Sequence, residues 1–124
     1  MLASNTGRVM VVPQGWPGSE SAWIAYKTIT SLGKDPQRDF RYHPRAEGDD
    51  ADFTFISPPN LALRVQESFY DHHSGVETRG TDIMKKAQMA GNGVTLITLD
   101  HAMLQDDPEW LTTEALQYRD HSME

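Results

Sequence analysis

Apolar positions along this chain switch between a helical and a strand-like period, and each switch marks an element. From Ser19 to Leu32, Ile24, Ala25, Ile29 and Leu32 recur at helical spacing, and Trp23 and Tyr26 widen that face. Ser19 or Ser21 can cap this helix, Glu20 suits its positive end and Gly33 can close it. Phe40-Arg41-Tyr42-His43 alternates as a half-buried strand does, and Pro44 ends it. Two short runs follow, ADFTFI at 51–56 and LALRVQ at 61–66, flanking the turn Ser57-Pro58-Pro59-Asn60, which predicts a β-hairpin. Strand alternation puts Phe53 and Phe55 on one face and Asp52 and Thr54 on the other. Leu61, Leu63 and Val65 alternate in the same way with Ala62, Arg64 and Gln66.

Beyond the hairpin, Asp71-His72-His73-Ser74-Gly75 reads as a loop, where two adjacent histidines are better explained by exposure than by shared chelation. Val76 to Ala90 is helical, with Ile83, Met84, Ala87 and Ala90 on one stripe and Arg79, Asp82 and Lys86 on another; Gly91-Asn92-Gly93 stops it. Val94 to Leu99 is the most β-prone run, apolar enough for a central strand. Asp100 to Asp107 is expected to be a loop with a short turn at Ala102 to Leu104. Asp107-Pro108-Glu109 opens a last helix, whose apolar surface is Trp110, Leu111, Ala115, Leu116 and Tyr118. From Arg119 the tail is expected to fray.

The order helix, three strands, helix, strand, helix predicts an α/β fold with a mixed sheet of about four strands. The strand–helix–strand segment implies parallel pairing of its two strands. At 124 residues the chain fits one domain, here 19–120, with a tail at 121–124. Residues 1–18 contain Gly7, Pro13, Gly15, Pro17 and Gly18, and read as an extended arm. That arm, with Trp16 in it, is the expected contact for a protein partner or a second copy.

Composition narrows the classes. No apolar run approaches a membrane span and no signal-like segment opens the chain, so a soluble protein of the cytoplasm, or of a phage particle, is expected, with no membrane partner. Without cysteine there is no disulfide framework and no thiolate metal site. Charge is uneven. Residues 1–45 carry six Lys/Arg against three Asp/Glu, residues 46–124 five against fifteen, so +3 sits beside −10 in a net −7. Duplex DNA binding draws much of its affinity from phosphate neutralisation, so DNA binding by this chain alone is expected to be weak.

The segments GSESAWIAYKTITSLG, ADFTFISPPNLALRVQESFY, ETRGTDIMKKAQMAGNGVTLITLD and DPEWLTTEAL span most of residues 18–118. Together they resemble the PD-(D/E)XK, or restriction-endonuclease-like, nuclease fold, and are most similar to very-short-patch-repair-type endonucleases and phage-encoded relatives. The resemblance implies a divalent metal, usually Mg²⁺, held by an aspartate on the second strand and an acid on the third. A Lys or Gln two residues after that acid positions the attacking water, and the metal activates it. Asp52 matches the first position and Gln66 the last. Between them, where the pattern has an acid, stands Arg64, which cannot ligate a cation. Ala22 stands where similar proteins often carry a Glu, with Glu20 a poor substitute on another face. Glu67 faces away on an ideal strand and would join a site only through a bulge. Arg79 and Asp82 match polar positions of the second helix that face the site, or form a structural ion pair.

Two functional readings result. In the first, the domain has lost catalysis and serves as a binding or structural module, with Arg64 and Asp52 pairing across the hairpin and no cofactor. In the second, it is a Mg²⁺-dependent DNA endonuclease using Asp52, Gln66 and Glu67. A generic α/β domain of accidental similarity is the remaining alternative.

Overall fold

Capping chemistry sets three of the four helix starts among the described residues. A computed structural model describes residues 12–44, 51–66 and 76–123, the side chains of 76–81 and 123 excepted. Helix α1 (Glu20–Ser31) begins where the Ser19 hydroxyl accepts the Ala22 N–H at 3.1 Å, and ends before Gly33 in the left-handed region (φ 95°). Strands β1 (Phe40–Tyr42), β2 (Phe53–Phe55) and β3 (Leu61–Val65) follow, then α2 (Val76–Gly91) and β4 (Thr95–Leu99). Asp100 caps α3 (His101–Asp106) through the Met103 N–H, and Asp107 caps α4 (Pro108–Leu116) through the Trp110 N–H. A 3₁₀ turn at His121–Met123 completes the described chain.

The architecture is α/β with one mixed sheet in the order β1-β2-β3-β4. The first three strands are antiparallel neighbours, and β4 lies parallel to β3 with Arg64 beside Thr98 and Val65 beside Leu99. Parallel pairing across a helical connection is what the pattern predicted. One face of the sheet buries Phe40, Phe53, Phe55, Leu61, Leu63, Val65, Ile97 and Leu99 against Ile24, Ala25 and Ile29 of α1, Leu104 of α3, and Leu111 and Ala115 of α4. The other face carries Ala62 and Leu96, packed against Met89 of α2 and Val94, so α2 lies opposite α1, α3 and α4.

Three expectations change. Asp100 to Asp106 is a capped helix rather than a loop, because buried Leu104 anchors it to the core. The tail does not fray at Arg119. Tyr118 takes a positive φ of 66°, uncommon outside glycine, and its hydroxyl donates to the Pro59 carbonyl at 2.6 Å. That turns the chain back toward the hairpin turn, where the Ser57–Pro58 bond is cis. Of the expected arm, residues 1–11 lie outside the description, and residues 12–18 dock on their own domain. Trp16 stacks on Tyr42 (4.7 Å, 14°), meets Trp23 and Tyr26 edge-on, and donates its indole N–H to the Ser19 carbonyl. Gly18 permits this approach, since a Cβ there would run into the Tyr42 hydroxyl.

The C-terminal turn is held by charge. Arg119 donates to both oxygens of Glu114, at 2.8 and 2.9 Å, and His121 Nε2 lies 3.0 Å from the same carboxylate. The Arg119 hydrogen bond foremost, then that of His121, lowers the Glu114 pKa from its ordinary 4.5 to about 2. A depressed carboxylate pKa gives stability that is present above the unfolded value and lost as pH falls through the folded one. Wild-type protein should therefore lose stability from this clasp between pH 4.5 and about 2. Melting curves across that range should fall more steeply than those of Glu114→Gln.

Candidate functional site

Asp52 sits where β2 meets the strand ladder irregularly. The register sets Phe53 opposite Leu63, yet the Asp52 N–H also donates to the Leu63 carbonyl at 2.9 Å. Two consecutive residues thus face one, the count of a β-bulge. The Asp52 side chain is fully buried, and its Oδ2 accepts the Val65 N–H at 2.7 Å. A carboxylate oxygen takes the place of a neighbouring strand's carbonyl for a buried donor that would otherwise go unbonded. The bulge lies on the Asp52 strand. Glu67 itself, like Asp71, His72 and His73, lies outside the described residues.

Arg64 and Gln66 share the second sheet face with Ala62, as alternation requires. Arg64 is half-buried, and its Nη1 and the Gln66 Oε1 are both shielded from solvent without a hydrogen-bond partner among the described residues. The Gln66 backbone N–H donates to the Leu99 carbonyl at 3.0 Å, which keeps the end of β3 in the sheet. Asp52, expected to pair with Arg64, directs Oδ2 to the β3 backbone.

Asp82 does turn toward this face. Thr98, in register with Arg64, donates to the Asp82 carboxylate at 3.3 Å from either oxygen. Lys86, one turn further along α2, reaches Asp82 at 3.4 Å, bonds Asp120, and donates to the Ser122 hydroxyl at 3.0 Å. Among the described residues the ion-pair partner of Asp82 is Lys86; the Arg79 side chain, and with it the expected Arg79–Asp82 pair, lies outside the description. The i,i+4 spacing of Asp82 and Lys86 was a usable signal for this pair. Nothing in the sequence pointed to Asp120 and Ser122, which arrive only because the tail folds back.

The described residues do not fit a divalent cation. No group of three or more His, Asp or Glu comes together among them, and the residue at the third-strand acid position is Arg64, which cannot ligate a cation. Ala22, at the expected Glu position, is fully buried, while Glu20 is exposed at the start of α1. A separate open cleft, lined by Leu32, Lys34, Ser57, Pro58, Thr113, Leu116 and Gln117, contains none of the candidate residues. No helix among the described residues is long and apolar enough to cross a membrane. No protein-family model, curated protein or solved structure matches the chain.

Proposed function

We propose that this chain is a nuclease-like α/β domain, of the PD-(D/E)XK kind and phage-encoded, that no longer catalyses and serves as a binding or assembly module. The order α1-β1-β2-β3-α2-β4 and the meander followed by a parallel strand support the fold part of this reading. The single observation that carries the functional part is Arg64. Its guanidinium is permanently charged and donates only, so it repels the cation that Asp52 and Gln66 would have to share. Asp52, fully buried and bonded to the Val65 amide, has a role in closing the sheet that explains its presence without a metal.

Incubation with supercoiled, nicked and branched DNA in Mg²⁺ or Mn²⁺ tests the reading. The expected result is no cleavage of any substrate. Metal-dependent cleavage that disappears in Asp52→Asn, a variant that keeps the shape and an acceptor oxygen, would establish an endonuclease instead.

A further inference from the structure

The sheet ends in two edges, and the chain protects them differently. At one edge β1 is only three residues long and exposes Arg41, two features that discourage a further strand. At the other, β4 is five residues of uncharged, β-prone sequence, Thr95-Leu96-Ile97-Thr98-Leu99. Thr95 donates to the Asn60 carbonyl and Leu99 accepts the Gln66 N–H, so positions 95, 97 and 99 bond to β3 in this parallel ladder. The backbone groups of Leu96 and Thr98 therefore point outward, and no backbone group of the described tail bonds them.

What lies over this edge is the chain's own C-terminus. Helix α4 packs on one face of the sheet and α2 on the other. Beyond Leu116 the tail passes from α4 to α2, where Lys86 holds Asp120 and Ser122, and the 3₁₀ turn at 121–123 packs on β4. A segment that joins the two faces beside the last strand crosses the outer edge of that strand.

We propose that residues 117–123 are a strap over the β4 edge, and that when the strap opens β4 pairs antiparallel with β4 of a second copy. Strand geometry carries the choice of partner. With a twofold axis at Ile97, Leu96 of each copy lies opposite Thr98 of the other, and each of these pairs exchanges two N–H···O=C bonds. Every outward N–H of the two edges then finds an acceptor, which the tail does not supply. No charged residue lies in the strand, so no like charges meet across the new pair. The strap is held to the domain by a few polar anchors: Tyr118 on the Pro59 carbonyl, and Lys86 on Asp120 and Ser122. It thus guards the one edge that has neither shortness nor a charge to protect it. The inference rests on the sheet order and the tail alone, and no outcome of a cleavage assay affects it.

Sedimentation velocity of the whole chain across the micromolar range tests it, with wild type beside Asp120→Lys, which sets a second cation against Lys86. Wild type should stay at 14.0 kDa, and the variant should approach twice that mass. Amide exchange followed by NMR reads the contact itself. In the associated variant the Leu96 and Thr98 N–H groups should exchange at least about tenfold more slowly than in wild type, because both become bonded. The charge swap Lys86→Glu/Asp120→Lys restores the ion pair with its signs reversed. It should return the chain to 14.0 kDa, which separates an opened strap from a misfolded chain. An Asp120→Lys chain that stays monomeric overturns the inference, whether its edge amides exchange faster or at the wild-type rate. Association without slowing at Leu96 and Thr98, association that the charge swap does not reverse, or a wild type that associates as the variant does overturns it as well.

Discussion

Phe53→Ala should lower the free energy of unfolding by about 4 kcal/mol, read as a lower denaturant midpoint at unchanged slope. Phe53 is fully buried, lies opposite Leu63 on one side and Tyr42 on the other, and approaches the Phe40 and Tyr42 rings at 6.0 and 5.1 Å. Truncation removes apolar area from the centre of the sheet and leaves a cavity that aromatic neighbours on a rigid ladder cannot close. Thr54, one residue on, points to the exposed face. Thr54→Ala should therefore change stability by no more than about 0.5 kcal/mol. A comparable loss at both positions would mean that the sheet's inner and outer faces are misassigned.

Asp52→Ala should cost about 3 kcal/mol, although it removes a polar group from a fully buried position. The reason is the Val65 N–H, which bonds Asp52 Oδ2 at 2.7 Å inside a fully buried bulge. A buried donor left without its acceptor carries a desolvation penalty of about 1–3 kcal/mol, and the emptied space adds to it. Asp52→Asn keeps an oxygen for Val65 and should recover the larger part of that loss. Thermal or urea denaturation of the two variants separates the roles this residue could have. A residue retained for metal chemistry is commonly a burden on stability, so its removal would be neutral or stabilising. A residue that closes the ladder destabilises on removal, as predicted here.

Among the described residues, the central hairpin, both outer strands and three of the four helices were legible because each signal was local. Ser19, Asp107 and Pro108 announce helix starts, Gly33 announces an end, and β2 and β3 alternate over their whole length. The unread parts depend on contacts distant in sequence. The α3 helix has only six residues, too short for periodicity, and exists because Leu104 reaches the core. The tail docks through Glu114, Lys86 and Pro59, partners that no local pattern connects to Arg119, Asp120 and Tyr118. Trp16 looked like an exposed hook and is instead the lid of an aromatic cluster drawn from α1 and β1.

At the candidate site, alternation correctly set Arg64 and Gln66 on one face, whereas helical spacing only grouped Asp82 with Lys86 on one stripe and did not say which way that stripe would face. Alternation failed at Asp52, because a bulge breaks the period of two there and redirects the carboxylate to the β3 backbone. The expected Asp52–Arg64 salt bridge was an inference from ideal strand geometry, and the bulge removes that geometry.

The central claim is that Arg64 occupies the position a metal would need. Calorimetric titration of the whole chain with Mn²⁺, wild type beside Arg64→Glu, tests it most directly. The account predicts no saturable heat for wild type and a saturable, single-site isotherm once a third-strand acid is restored at position 64. Stoichiometric Mn²⁺ binding by the wild-type chain, lost in Asp52→Asn, would contradict it.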